Sequence, residues 1–197
     1  VSLNPPTSAP TSSEVAFKLP TSDGSAGQVL MTDGSGNLSW TTPGISQADQ
    51  WRVTSSFDTS DSDVTSNWER NDTDFALIGS GMTESSGIFT FPATGIYKIE
   101  WVLTSFKMPS GATLKEVGGY IYTTTDNSSY NIRAKTDNSI STDNYASSTC
   151  YMSCIFDVTN TSTHKVKFGA FAEDTMRFEG QSGYNMTFAT FIRLGDT

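Results

Sequence analysis

Apolar and aromatic residues recur at every second position through much of this chain, between short clusters of Asp, Asn, Ser and Gly. The clearest case is residues 96–105, where one face carries Tyr97, Ile99, Trp101 and Leu103. Such alternation is the pattern of a β-strand with one buried side, and no segment has the spacing of an amphipathic helix. The chain is therefore predicted to be all-β.

The same pattern predicts ten strands, near residues 51–57, 68–70, 74–79, 87–91, 96–105, 117–124, 130–135, 148–158, 165–172 and 184–194. Many short strands with turn signals between them are typical of a β-sandwich or jelly roll. The composition agrees, because 12 % of the residues are aromatic and 17 % are charged. A disordered chain would carry fewer aromatic residues.

The first 45 residues differ from the rest of the chain. They hold most of the prolines and too few large apolar residues for an independent globule. We therefore predict an extended, glycine-rich stalk or linker at 1–45 and a jelly-roll head domain at 46–197. A flexible linker is the alternative for the first region, although Gly/Ser linkers seldom carry apolar residues spaced as Val29, Leu30 and Trp40 are.

Charge and hydropathy exclude two classes of partner. The formal net charge is −9 and the Lys and Arg residues are scattered, so we expect no nucleic-acid binding. No apolar run approaches the roughly 20 residues that a membrane helix needs, so we expect no membrane insertion. The chain begins with Val rather than Met, so we expect a fragment or a processed product.

The two cysteines lie four residues apart in a predicted strand, "STCYMSCIFDV". Four strand residues separate Cα atoms by roughly 13 Å, whereas a disulfide needs about 4.4–6.8 Å. We therefore expect Cys150 and Cys154 to be buried free thiols, which suggests assembly in a reducing compartment.

Little in the sequence indicates catalysis or a cofactor. The single histidine, His164, lies in a polar segment and is expected to be a solvated loop residue rather than part of a triad. Three acidic residues, Asp58, Asp61 and Asp63, are expected to form a solvated turn. A calcium site there is weakly supported, because the glycine and the terminal glutamate of a calcium loop are missing. We predict a non-enzymatic protein with no cofactor.

One segment carries a recognisable motif. "GIFTFPATGIYKIEW", residues 87–101, places Gly87, Phe89, Gly95 and Tyr97 at the spacing found in complement globular-head and tumour-necrosis-factor-like jelly rolls. The segment resembles the signature of that family. Independently of the family, Gly95 allows a sharp turn into the next strand, and Tyr97 is suited to the space between two sheets.

Two further segments support this resemblance. "MTFATFIRL" at 186–194 is similar to the family's closing strand, with Ala189 and Thr190 where a Ser-Gly pair is usual. "TCYMSCIFDVTNTSTHKVKFGAF" at 149–171 resembles its paired strands, with a longer turn between them. The resemblance covers roughly residues 48–195. It implies a jelly-roll head that forms a homotrimer.

The segment "LPTSDGSAGQVLMTDGSGNLSW", residues 19–40, is similar to segments that precede the distal head in bacteriophage tail-fibre and other virion fibre proteins. The resemblance implies a trimeric fibre tip that is assembled in the host cytoplasm and carried on the virion, at its tail or capsid surface. The rest of the particle would join it at the N-terminal end. The tip would bind a host surface glycan or an outer-membrane protein. The alternatives are a structural trimer that decorates or caps the particle without a receptor, and a glycan-degrading spike.

The position of the binding site follows from strand parity, because antiparallel strands alternate direction. In the resembled family the closing strand runs toward the end where the stalk enters, which we name the base. The connections 125–129 and 159–164 are then predicted at the base, and 106–116, 137–147 and 173–183 at the opposite, far end. The far-end residues predicted to bind the receptor are Lys107, Met108, Tyr145, Met176, Arg177 and Phe178. Packing of Tyr145 and Phe178 beneath their loops or between subunits is the alternative.

Overall fold

The computed structural model describes residues 17–72, 74–106, 116–140 and 146–197, and every extended regular element within them is a β-strand. Contacts divide the chain into two compact units, Val1–Gly44 and Ile45–Thr197. Within the described ranges, no helix is long and apolar enough to span a bilayer.

From residue 17 onward, the first unit contains one antiparallel hairpin, formed by β1 (Val29–Thr32) and β2 (Leu38–Thr41). Asp33 organises its turn, because the carboxylate accepts hydrogen bonds from the Ser35 backbone N (2.8 Å) and from Asn37 Nδ2 (2.6 Å). The Asn37 side chain contributes most to lowering the pKa of Asp33 below its ordinary value. The repeated Asp-Gly-Ser chemistry of the sequence is thus turn chemistry.

Trp40 is the main packing element of the first unit. Its Nε1 donates a 2.9 Å hydrogen bond to the carbonyl of Ser22, and the indole covers Gly24 so closely that a Cβ there would lie 2.5 Å from Trp40 Cδ2. Leu38 is half-buried, and most other large apolar side chains in the described part of this unit are exposed, among them Phe17, Leu19, Val29, Leu30 and Met31. The described part of a single copy therefore buries little apolar surface.

The second unit, the head, contains eleven strands in its described residues. They are β3 (Ala48–Val53), β4 (Ser55–Asp63), β5 (Trp68–Arg70), β6 (Thr83–Ser85), β7 (Ile88–Thr90), β8 (Gly95–Phe106), β9 (Glu116–Thr124), β10 (Asn131–Ser139), β11 (Ser147–Val158), β12 (Lys165–Gln181) and β13 (Phe188–Gly195).

The strands form two antiparallel layers. One has the order β3–β13–β8–β11, and the other has the order β4–β12–β9–β10. β5 extends the first layer beside β3, and the short β6–β7 hairpin pairs with β12. This is the predicted jelly-roll sandwich, and most of the predicted strands are present within a few residues of their expected bounds.

The core lies between the two layers. Trp101 of β8 stacks on Phe168 of β12 with ring centroids 4.8 Å apart, and Phe89 and Trp68 pack around them. Tyr97 is also fully buried, and its hydroxyl donates to the carbonyl of Ala93 at 3.0 Å. The predicted inward face of residues 96–105 is therefore confirmed.

Both glycines of the motif are required by the backbone. Gly87 has φ +80°, and a Cβ there would lie 2.3 Å from the carbonyl oxygen of Val64. Gly95 has φ +143°, and a Cβ there would lie 2.6 Å from the carbonyl oxygen of Gly195. Only glycine fits such positions without displacing the neighbouring backbone.

The base of the head is the end at which β3 begins and β13 finishes, because these strands are antiparallel neighbours. The connections 125–129 and 159–164 meet at one end of the sandwich, where the Asn127 backbone N donates to the Thr163 carbonyl at 2.9 Å. The start of β8 pairs with the finish of both β11 and β13, which makes that end the base. The predicted placement of these two connections is confirmed.

The segment 173–183, predicted as a far-end connection, lies mostly within a strand. β12 continues to Gln181 after a bulge between Phe171 and Met176 in its pairing with β4. The bulge interrupts the alternation at Glu173 and Asp174, which are exposed. The actual connection to β13 is residues 182–187.

Two other local expectations were wrong. The acidic segment at 58–63, predicted as a turn, belongs to β4 because it pairs along β12. The strand predicted at 74–79 is reduced to an isolated bridge between Ala48 and Ile78, within an irregular segment.

Candidate functional site

The outward side of the β8 layer presents a contiguous block of nine side chains, which we name the sheet face. Three come from each of the strands β8, β11 and β13, and they are Lys98, Glu100, Val102, Tyr151, Ser153, Ile155, Phe188, Thr190 and Ile192. They alternate with core residues on each strand, so the strand period of two places them all on the side away from the core.

Strand register arranges these residues in three rows. Val102 lies opposite Phe188 on one side and Tyr151 on the other. Lys98 lies similarly between Ile192 and Ile155. Tyr151 and Ile155 are 52 % and 61 % exposed. Val102, Phe188 and Ile192 are half-buried, so the sheet face is a mixed apolar and polar surface that is partly open to solvent in the single chain.

The two charged residues of the sheet face neutralise each other. Lys98 Nζ lies 2.7 Å from Glu100 Oε1, and the Tyr151 hydroxyl donates to the same oxygen at 2.8 Å. The hydrogen bond with Glu100 raises the pKa of Lys98. Burial alone would raise the pKa of Glu100, but the hydrogen bonds from Lys98 and Tyr151 outweigh it, so that pKa lies below its ordinary value. The carboxylate is thus held ionised and paired.

The predicted receptor-binding residues differ in where the structure places them. Lys107, Met108 and Tyr145 lie outside the described residues. Met176 and Phe178 were expected on a loop surface, but both are buried, because they occupy inward positions of β12.

Phe178 stacks on Phe57 of β4 with ring centroids 5.4 Å apart, which fixes it in the core. Between the two buried residues, Arg177 is exposed, and its Nε lies 3.2 Å from Glu179 Oε1. Phe178 therefore packs in the core of a single chain, from a strand rather than from beneath a loop. Of the six predicted residues, Arg177 alone is described and exposed.

The strand ends that border two of the predicted far-end segments lie together. Phe106 pairs with Ser147 of β11 on one side and with Arg177 of β12 on the other. The strand ends that lead into 107–115 and out of 141–145 therefore meet beside Arg177. Whether these segments bind a receptor stays a prediction.

His164 was expected to be solvated, but it is buried. Its ring lies 5.6 Å from that of Phe156, and its two nitrogens lie 3.1 and 3.2 Å from the hydroxyls of Thr163 and Thr159. Hydroxyl partners satisfy both ring nitrogens in the core. This environment gives His164 a structural role.

The acidic strand β4 does not assemble a metal site from the described residues, in which no three His, Cys, Asp or Glu side chains converge on one point. Asp63 instead pairs with Lys167 of the neighbouring strand at 2.5 Å. The aspartates lie along an extended strand, so their carboxylates are spread rather than gathered.

Both cysteines are free and lie on β11, as predicted. Cys150 is fully buried and Cys154 partly so. Burial raises the pKa of both thiols, and that of Cys154 reaches about 11.

Sequence reasoning identified part of the sheet face without recognising its use. The alternation in β11 separates Cys150 and Met152 from Tyr151 and Ser153, which indicates a second, outward face. The outward residues of β8 and β13 carry the same signal. The outward residues of these three strands lie side by side only because of the strand order, which the local periodicity of the sequence does not reveal.

Comparison with known proteins identifies the fold of the head. No protein-family model and no curated protein matches the chain. Among solved structures, murine APRIL at pH 5.0 is similar, with a TM-score of 0.57, 14 % identity, and coverage of 75 % of this chain and 98 % of APRIL. Eiger TNF from S. frugiperda has a TM-score of 0.60, 12 % identity, and coverage of 76 % and 93 %. The head has a tumour-necrosis-factor-like jelly-roll fold. At these identities, the comparisons show the fold alone.

Proposed function

We propose that three copies of this chain assemble through the sheet face into the tip of a fibre, and that this tip attaches a virus particle to its host cell. The sheet face is the observation that carries the proposal. Five of its nine side chains are apolar or aromatic, of which Tyr151 and Ile155 are exposed and the others half-buried, and apolar patches at a surface mark sites of contact. Its two charges cancel, although the chain as a whole carries −9.

Copies of this chain are the occupants that best suit this surface. A face without net charge can pack against its own copies without like-charge repulsion, whereas most of this acidic chain would repel them. Closed symmetry lets each copy contribute the same face, and the resembled jelly-roll family usually forms trimers. A trimer would cover Tyr151, Ile155 and the residues of β8 and β13 that lie in the same rows.

The first unit supports the same assembly. Leu30 and Met31 are about half exposed on β1, and Leu19 is more so. Three copies of such a hairpin can share an apolar core that one copy cannot build. Folding of this segment would then be coupled to association of the chains.

Attachment is proposed as binding without catalysis. A trimer presents three identical far ends on a rigid sandwich, and multivalent contact strengthens weak individual interactions. The partners would be a glycan or an outer-membrane protein on the host and the rest of the fibre at the N-terminal end. No cofactor is needed for this activity.

Binding of fluorescently labelled protein to a panel of bacterial strains tests the proposal. We expect the wild-type chain to bind at least one strain, and Ile155→Glu to bind it at least tenfold more weakly through loss of multivalency. Ile132→Glu on β10 is the matched control, because Ile132 is 50 % exposed on the other layer. A stable trimer that binds no strain would favour the structural, receptor-free alternative.

A further inference from the structure

A polar cavity of about 320 Å³ opens on the outward side of β3. β3 contributes Gln50 and Arg52, the segment after β5 contributes Asn71, and the connection from β12 to β13 contributes Tyr184 and Asn185. Its volume falls within the range of about 300–1,000 Å³ that is common for small-molecule sites. All of its lining belongs to the head.

Gln50 holds in place the side chains of two asparagines that line this pocket. Its Oε1 accepts hydrogen bonds from Asn71 Nδ2 and Asn185 Nδ2, both at 2.6 Å. Its Nε2 donates to Thr190 Oγ1 at 2.9 Å. Because Thr190 belongs to the sheet face, the pocket borders the proposed subunit contact.

Each asparagine retains an unused acceptor. The Oδ1 atoms of Asn71 and Asn185 are both buried and have no hydrogen-bond partner in the described part of the chain. Asn71 is only 8 % exposed, so bulk water does not readily supply the missing hydrogen bond to its Oδ1 atom. Buried polar atoms without partners are uncommon in folded proteins and suggest a missing ligand or water. A ligand that satisfies both atoms must supply two hydrogen-bond donors.

An aromatic ring lies at the rim of the same pocket. Tyr184 is 61 % exposed on the short connection 182–187, although its neighbour Asn185 is partly buried. Sugars combine hydroxyl donors on their edges with an apolar C–H face. Two amide acceptors beside an exposed ring therefore suit a pyranose, with its hydroxyls on the asparagines and its C–H face on Tyr184.

Charge in the pocket narrows the class of sugar. The guanidinium of Arg52 is buried, and it is already bound by Glu69 at 2.9 Å and by Asp72 at 2.5 Å. Asp74 adds another carboxylate to the lining. Among the lining residues, the one cation is therefore already neutralised and the one carboxylate is Asp74, so an anionic sugar would meet like charge rather than an available cation, which disfavours its binding.

We infer that this pocket binds a neutral pyranose residue of a glycan through Asn71, Asn185 and Tyr184. The inference deepens the attachment function proposed above and rests on it for the biological source of the glycan. It moves the sugar site from the predicted far-end loops to the outward side of β3. Each protomer would carry its own pocket.

Saturation-transfer NMR with the full chain tests the inference. The probes are the methyl glycosides of glucose, galactose, mannose, N-acetylglucosamine and N-acetylgalactosamine, with glucuronic and N-acetylneuraminic acids as anionic comparisons. We expect at least one neutral glycoside to bind, with at least tenfold preference over the acids. Failure of all the neutral glycosides would overturn the inference and indicate that the pocket holds water only.

Variants localise the binding. Tyr184→Ala changes an exposed side chain and should weaken glycoside binding at least tenfold without affecting folding. Asn71→Ala should also weaken glycoside binding at least tenfold. Arg177→Ala, at the far end, is the control and should bind the glycoside as the wild type does. Unchanged binding by Tyr184→Ala, or an equal loss in Arg177→Ala, would contradict the assignment.

The same variants distinguish this inference from the attachment proposal. If Tyr184→Ala loses glycoside binding but still binds cells, the pocket is a sugar site and attachment occurs elsewhere. If wild-type protein binds cells but no neutral glycoside, the pocket inference fails while the attachment proposal stands.

Discussion

The Tyr151 hydroxyl donates a 2.8 Å hydrogen bond to Glu100 on the neighbouring strand, at the centre of the sheet face. Lys98 binds the same carboxylate oxygen from two residues away along β8. A charged group among apolar residues is acceptable at a contact surface only when it is paired and hydrogen-bonded. This arrangement lets the sheet face be covered by other subunits without leaving a charge unpaired.

The first prediction is an acid-dependent loss of stability that depends on Glu100. Its pKa is lower in the folded protein than the ordinary value of 4.5. The stabilisation is therefore complete above about pH 4.5 and is lost as the pH falls through the lowered folded value. Thermal unfolding between pH 3 and 7 should show that the difference in melting temperature between the wild type and Glu100→Gln becomes smaller as the pH falls.

Other carboxylates titrate in the same range, so a matched control is needed. Glu116→Gln changes an exposed glutamate at the start of β9. It should leave the pH dependence close to that of the wild type. A constant offset between wild type and Glu100→Gln across the range would show that ionisation of Glu100 does not contribute.

The second prediction concerns the thiols. Because burial raises the pKa of Cys150 and brings that of Cys154 to about 11, few thiolates exist at pH 8. A thiol reagent should therefore modify both cysteines slowly in the native protein and rapidly after denaturation. Rapid modification of both without denaturant would contradict the burial of β11.

The third prediction concerns Gly87. Alanine at this position would have a strained φ of +80° and a Cβ close to the Val64 carbonyl oxygen. The substitution should therefore lower the free energy of unfolding of the head by about 1–3 kcal/mol. Thermal unfolding measures this change. Gly195→Ala is the control, because a Cβ at that position would meet no atom within 4 Å. Equal stability of the two variants would show that the backbone at Gly87 tolerates a side chain.

The fourth prediction concerns the first region. Deletion of residues 1–45 should leave a folded head with a lower melting temperature, because the proposed shared contacts of the hairpins are lost. An unchanged melting temperature would favour the flexible-linker alternative.

Local sequence pattern predicted much of the head correctly. The alternation in β8 and the two motif glycines concern a single strand and its turns, where inward and outward residues differ clearly. The inward positions of Tyr97 and Trp101 follow directly from that period. Phe168, on which Trp101 stacks, lies on β12, so the contact itself depends on how the layers pack.

The errors occurred where polar residues mask a strand. In β12, the exposed Glu173 and Asp174 lie at a bulge, which interrupts the alternation before Met176 and Phe178. In β4, Ser and Asp residues lack β propensity, and pairing with β12 determines the conformation. Tertiary pairing overrode local preference in both cases.

The polar pocket could not be derived from sequence spacing. Gln50, Asn71 and Asn185 are separated by long stretches of chain, and each is an ordinary polar residue in its own segment. Only the pairing of β3 with both β5 and β13 brings them together.

The mass of the particle in solution tests the central claim most directly. Light scattering after size-exclusion chromatography should give three chains of 21.3 kDa for the wild type and for Ile132→Glu. Ile155→Glu should shift the mass toward one chain, because it adds a carboxylate opposite Lys98, which Glu100 already neutralises, and so gives each proposed contact face a net negative charge. A stable wild-type monomer at micromolar concentration, or an intact trimer of Ile155→Glu, would contradict assembly through the sheet face.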